Sequence, residues 1–219
     1  MNEMLIISSE DVPLPGIVNI PVEGKKLNRG TGPAFEYMQS AAKSTDQSVT
    51  PPYSMKFGGI NQPGYVRSAA SPDLSFLALD FTMEFDIFPV KKDVQYPRVF
   101  QFGANWNTSQ SLCICAGHAD HGPTKYNLIS YYLNQNSAPT LNSNADIAYG
   151  KWTHFKLQRV GNTISIYIDG VLDAQKTFPA GTLLTAGEND RRFFIGVSEG
   201  TVPTTSYFNG YIDNFKFYR

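Results

Sequence analysis

The run Thr163-Ile164-Ser165-Ile166-Tyr167-Ile168-Asp169-Gly170 puts an isoleucine at every second position and stops at Asp-Gly. Alternation at period two gives a strand one buried face, and Asp-Gly supplies the two left-handed residues of a tight hairpin turn. The preceding Lys151 to Val160 places Phe155 and Leu157 on one face, and Val160-Gly161-Asn162 offers a turn into the isoleucine strand. Tyr207 to Tyr218 reads as a last strand. Antiparallel strands with one dry and one wetter face are the structures such a segment can form.

The rest of the chain must supply further strands. Its 15 Phe, 12 Tyr, 18 Gly and 14 Pro favour strands and turns over long helices. At 219 residues it is long enough for one sizeable core, and β sandwiches of this length stay single domains. From Tyr53 the predicted strands come regularly: Ser54 to Phe57, Gly64 to Ser68, Phe81 to Val90, Arg98 to Gly103, Leu112 to Ala116 and Tyr126 to Leu133. In the third, Phe81, Met83, Phe85 and Ile87 face a core while Thr82, Glu84 and Asp86 face away. Trp152 begins a core strand and is expected to be packing.

Residues 1 to 50 differ. They hold a short apolar strand at Met4 to Ile7, a Pro-spaced stretch from Val12 to Val22 and a polar loop, and read either as an N-terminal arm or as the first strands of the sandwich. Thr31-Gly32-Pro33 is expected to start a short helix, because Phe35, Met38 and Ala42 then share one helical face.

Charge and targeting exclude several classes. Eighteen basic against nineteen acidic residues leave a net charge of −1 with no Lys/Arg run beyond pairs, which disfavours a nucleic-acid partner. The N-terminus lacks the pattern of a secretory signal peptide, and no apolar stretch approaches the ~18 residues of a membrane helix. Cys113 and Cys115 are alternate residues of one predicted strand, at the far edge of disulfide geometry, and read as reduced thiols.

Six segments in order carry a resemblance: Ser54-Met55-Lys56-Phe57-Gly58-Gly59, Asp80 to Phe85, Lys151 to Phe155, Ile166 to Gly170, Phe194-Ile195-Gly196 and Phe208 to Phe215. Together residues 53 to 219 resemble the laminin-G-like branch of the concanavalin A-like jelly rolls. The resemblance implies an all-β, two-sheet antiparallel jelly-roll sandwich over residues 51–219, in a family whose members bind glycans or proteins, some through calcium.

Glu84-Phe85-Asp86-Ile87-Phe88-Pro89 is similar to the Glu-x-Asp-x-x-Glu run of glycoside hydrolases with this fold, but Pro89 stands where the second Glu would be. Retaining hydrolysis needs a carboxylate nucleophile and a carboxyl acid/base, so a non-catalytic protein is expected. In Gly103-Ala104-Asn105-Trp106-Asn107, Trp106 either stacks on a sugar ring, with Asn105 and Asn107 supplying amide hydrogen bonds, or folds back onto the sandwich edge. His118, Asp120 and His121 form a polar loop that either joins this rim or is simply solvated. Cys113, Cys115, His118 and His121 contain the donor types of a zinc site, without a standard spacing.

The last strand changes phase. Phe208, Gly210 and Ile212 share one parity and Phe215 and Phe217 the other, which calls for a β-bulge at Asp213-Asn214. Asp213 is then either a structural calcium ligand, as in relatives where backbone carbonyls of an early Gly-containing loop, here Gly58 or Gly59, complete the site, or an Asp that hydrogen-bonds its own turn. The resulting expectation is a virion-associated fibre, tail or capsid-decoration protein that binds host-surface glycans and forms homo-oligomers, released by lysis and docking on neighbouring virion subunits through its arm. The alternatives are a purely structural assembly protein and, third, a hydrolase.

Overall fold

A computed structural model describes residues 18–20, 30–74, 79–91, 94, 96–103, 112–116, 129–133, 141–180, 191–197 and 206–219. The predicted strand at Met4 to Ile7, and Asn105, Trp106, Asn107, His118, Asp120 and His121, lie outside them.

Fifteen strands are described. In the N-terminal part these are β1 (Val18–Ile20), β2 (Phe35–Gln39), β3 (Ala42–Ser44), β4 (Ser54–Gly58) and β5 (Gly64–Ser68). The middle supplies β6 (Phe81–Pro89), β7 (Arg98–Phe102), β8 (Leu112–Ala116), β9 (Ile129–Leu133) and β10 (Leu141–Asn142). The last are β11 (Thr153–Val160), β12 (Thr163–Ile168), β13 (Val171–Thr177), β14 (Phe193–Ile195) and β15 (Asn209–Tyr218). One sheet has eight strands in the order β13-β12-β11-β6-β15-β4-β3, with β1 also on β15, and the other has seven in the order β10-β9-β8-β7-β14-β5-β2. Every ladder is antiparallel, as a jelly-roll sandwich requires.

The Asp-Gly turn forms as its residues dictate: Asp169 and Gly170 have φ of 50° and 80°, and β12 runs back as β13. The two sheets close on a phenylalanine core. Phe215 stacks on Phe85 of its own sheet at 5.8 Å and on Phe100 of the other at 5.8 Å, while Phe193 meets Phe100 at 4.9 Å and Phe217 at 5.2 Å. Gly196 sits at φ 88° against the Phe57 ring, where a Cβ would stand 2.3 Å from a ring carbon.

Residues 31–42 are not helical. Phe35 is buried opposite Ser68 and Tyr37 packs against the core, so period two along β2 prevails over the helical spacing of Phe35, Met38 and Ala42. The open edge of β5 offers five backbone partners that a helix would leave unpaired. β2 and β3 each form one edge of a sheet and β1 pairs with β15, so every strand described within residues 1–50 belongs to the sandwich.

Candidate functional site

The bulge in β15 organises the site. Register places Asp213 opposite Asp86 and Lys216 opposite Glu84, so Asn214 and Phe215 share the space of one residue, and Asn214 takes φ 50°. The bulge lies where β15 changes partner, from β4 alongside Asn209 to Ile212 to β1 alongside Phe215 to Phe217. Asp213 fills this interruption. Its Oδ2 accepts the backbone N–H groups of Val49 and Thr50, each at 3.0 Å, and its Oδ1 accepts that of Asn214 at 2.8 Å. Burial pushes the carboxyl of Asp213 above the usual range, and the three N–H groups pull against it.

The expected grouping of Asp213 with Gly58 and Gly59 is not assembled. Gly58 stands opposite Asn209, four residues before Asp213, which is about 13 Å along the strand. The Gly59 N–H is bonded to Phe208 O. Asp213 therefore ties down the 49–50 turn through Oδ2 and its own bulge through Oδ1.

From this anchor a polar row crosses the outer face of the eight-stranded sheet. Asn214 Nδ2 donates to Asp86 Oδ2 at 2.8 Å and to Thr50 Oγ1 at 3.0 Å. His154 Nδ1 meets Asp86 Oδ1 at 2.8 Å, its Nε2 lies 4.0 Å from Glu84 Oε2, and Lys216 Nζ reaches Glu84 Oε1 at 3.3 Å. The Asp86 hydrogen bond raises the pKa of His154, burial opposes it, and the charges of Asp86 and Glu84 add to the rise while Lys216 reduces it. Pairing sets the row: β11 puts His154 beside Asp86 and Lys156 beside Glu84.

Next to it lies an aromatic row. Phe88 packs between Trp152 at 5.4 Å and Tyr211 at 5.8 Å. Trp152, expected in the core, is half-buried on the outer face because Thr153 is the residue that pairs with Ile87 and turns inward. The Tyr211 hydroxyl donates to Asp46, which also holds Lys56 at 2.6 Å. Rings beside carboxylate, imidazole and amide groups suit a ligand with apolar C–H faces and hydroxyl edges. The sequence pointed Glu84 and Asp86 outward; it held no sign that His154, Asn214 and Trp152 would join them, because that depends on which strands neighbour β6.

The seven-stranded sheet is different outside. Cys113 and Cys115 are buried on the side of β8 away from the core residues Leu112, Ile114 and Ala116, with Sγ atoms 3.5 Å apart. Arg98 donates from Nη1 to Cys115 Sγ. Burial works to raise the Cys115 pKa, but the Cys113 hydrogen bond and the Arg98 guanidinium prevail and lower it to about 7, while burial drives Cys113 up. Among the described residues no group of three or more His, Cys, Asp and Glu side chains is placed to hold a metal ion. Gly103, just after β7, donates to Arg192 O at 3.2 Å.

Two antiparallel sheets around one aromatic core are matched by a family model over residues 63–219, described as the concanavalin A-like lectin/glucanases superfamily. The chain belongs to this superfamily. Among curated proteins none matches it in sequence. Solved structures share the superfamily fold at low identity. Domain 4 of AbnA, a GH43 extracellular arabinanase from Geobacillus stearothermophilus in complex with arabinotriose, has a TM-score of 0.59 and 16% identity, covering 85% of this chain and 82% of that one. The botulinum neurotoxin serotype D/C VPI 5993 binding domain has a TM-score of 0.65 and 17% identity over 92% of this chain and 48% of that one. A botulinum neurotoxin type C structure, from a toxin whose passage into cells depends on two ganglioside molecules, has a TM-score of 0.65 and 16% identity over 92% and 47%. This superfamily member thus spans about half the length of the neurotoxin chains it matches.

Proposed function

We propose that this chain is a non-catalytic, lectin-like domain of a virion-associated protein and that it binds host-surface glycans. The observation that carries the glycan reading is the half-buried pair Trp152 and Phe88, backed by the buried Tyr211, beside Asp86, His154 and Asn214, which sets rings next to hydrogen-bonding groups on the outer face of the eight-stranded sheet. The neighbours in complex with arabinotriose or dependent on gangliosides support it as a use to which this fold is put.

Binding is favoured over hydrolysis by the state of the carboxylates. Asp86 is engaged by both His154 and Asn214, Glu84 is paired with Lys216, and Pro89 occupies the place of the third motif residue. The direct test of the virion assignment is the presence of the protein in purified particles by mass spectrometry.

A glycan array tests the binding role. The native protein is expected to bind a defined set of glycans, and Trp152→Ala to lose them with its melting temperature nearly unchanged. Retention of binding by Trp152→Ala would move the site elsewhere. Hydrolysis of β-glucans that disappears in Glu84→Gln would establish an enzyme instead.

A further inference from the structure

On the side of the seven-stranded sheet turned away from the phenylalanine core, β7 and β8 bring two free thiols beside a buried guanidinium. We propose that Cys113 and Cys115 form a peroxide-reactive dithiol that closes reversibly to a disulfide, with Cys115 as the attacking sulfur, Cys113 as the resolving sulfur and Arg98 holding the Cys115 thiolate.

A bulge in β7 builds this arrangement. Arg98 stands opposite Cys115 and Phe100 opposite Ile114, so Val99 is an extra residue in the ladder. Without it, alternation would put Arg98 on the same face as Phe100, inside the aromatic core. With it, Arg98 turns to the face that carries Cys113 and Cys115, and its Nη1 donates to Cys115 Sγ. The bulge is pinned from behind, because the Arg98 N–H donates to Ser206 O at 2.9 Å. A buried cation beside a thiol favours the thiolate.

The two sulfurs stand 3.5 Å apart, so a disulfide of about 2.05 Å needs them to approach by roughly 1.5 Å. Alternate strand residues have Cα atoms roughly 6.5–7 Å apart, at the upper end of the disulfide range, so closure puckers β8. The two thiols also differ in chemistry. Arg98 and the Cys113 hydrogen bond hold the Cys115 pKa at about 7 against burial, whereas burial drives Cys113 up and keeps its proton in place.

In the first step the Cys115 thiolate attacks one oxygen of hydrogen peroxide and the O–O bond breaks. The sulfur becomes a sulfenic acid, and the hydroxide that leaves takes from solvent the proton Cys115 had lost. In the second step the Cys113 sulfur attacks Cys115 Sγ, the S–O bond breaks, and hydroxide leaves as water with the Cys113 proton. Two thiols lose two electrons, and one peroxide becomes two waters. Hydrogen peroxide is little larger than water, and only β9 separates β8 from the edge strand β10, whose ladder is two residue pairs long. Opening so short an edge takes less free energy than unfolding the domain.

The test treats the reduced full chain with hydrogen peroxide in buffer, then denatures it, labels it with N-ethylmaleimide and weighs it intact. The native protein is expected to lose two hydrogens, to take up no label, and to regain both labelling sites after dithiothreitol. Cys113→Ser should stop at a sulfenic acid on Cys115 that dimedone traps. In Cys115→Ser the remaining thiol should react with peroxide more slowly by about tenfold or more.

Full labelling of both thiols in native protein after peroxide would overturn the proposal, and that measurement needs no variant. Closure that occurs only in urea would overturn it too, because the pair would then react only in the unfolded chain. So would a disulfide that links two chains on a non-reducing gel, or a Cys115→Ser protein of native melting temperature that reacts as fast as the native one. None of these outcomes bears on glycan binding, which rests on the other sheet.

Discussion

On the eight-stranded sheet, the side of β6 facing away from the core carries Thr82, Glu84 and Phe88 half-exposed, whereas every residue of β7 and β8 on the seven-stranded sheet is buried. The two sheets therefore treat their outer polar groups differently. On the first, the half-exposed His154 and Asn214 flank the buried Asp86, and Lys216 pairs with Glu84, in a row whose flanking groups water can reach. On the second, Gln101 is fully buried and donates to Gly103 O at 2.9 Å, and Arg98 is bonded to Cys115. A buried polar group must be satisfied by protein, so its neighbours are tightly constrained. A half-exposed row can exchange a protein partner for a ligand hydroxyl at small cost, which leaves the outer face around β6 freer to specialise in recognition than the outer face of β7 and β8.

The largest effect expected is on the core that joins these faces. Phe215→Ala should cost about 3–5 kcal/mol, because one ring contacts both sheets. Urea unfolding should show this as a lower midpoint in a single transition. Two separate transitions would mean that the sheets do not share one cooperative core. Next is the anchor of the outer row. Asp213→Ala leaves three backbone N–H groups without their acceptor and should cost about 2–3 kcal/mol, less than a full desolvation penalty for each because the 49–50 turn can be rehydrated. A change within experimental error would show that the bulge holds itself.

The smallest effect separates the faces by pH. The native pKa of His154 lies above 6.5, so the native state binds its proton more tightly than the unfolded chain does. The resulting stabilisation is complete below pH 6.5 and is lost as pH rises through the native value. The side chain is 38% exposed, so solvent screening limits the contribution to a few tenths of a kcal/mol. Denaturation series between pH 5.5 and about 8.5 should show a slope that His154→Gln flattens. An equal slope in the variant would assign the dependence to another group.

Much of this architecture is readable along the chain. The Asp169-Gly170 hairpin forms where the isoleucine alternation stops, and the change of phase between Ile212 and Phe215 marks the bulge that the register shows. Both features are local: a turn needs its own two residues, and parity needs one strand. Residues 31–42 show the opposite case. The spacing of Phe35, Met38 and Ala42 fits a helix, yet the segment pairs as strands because β4 and β5 offer sheet edges that only the folded protein contains.

The same division runs through the sites. Asp213 stood out in the sequence as a polar residue at a phase change, but its partners are 163 and 164 residues away and belong to a turn rather than to the Gly58-Gly59 loop. Glu84 and Asp86 were outward by alternation alone, while His154, Asn214 and Trp152 reached them through strands that neighbour β6 only in the assembled sheet. Alternation and turn chemistry act over two to four residues and are written in the chain. Register and strand order follow from packing distant segments around one aromatic core, and it is that packing which turned scattered polar and aromatic residues into surfaces.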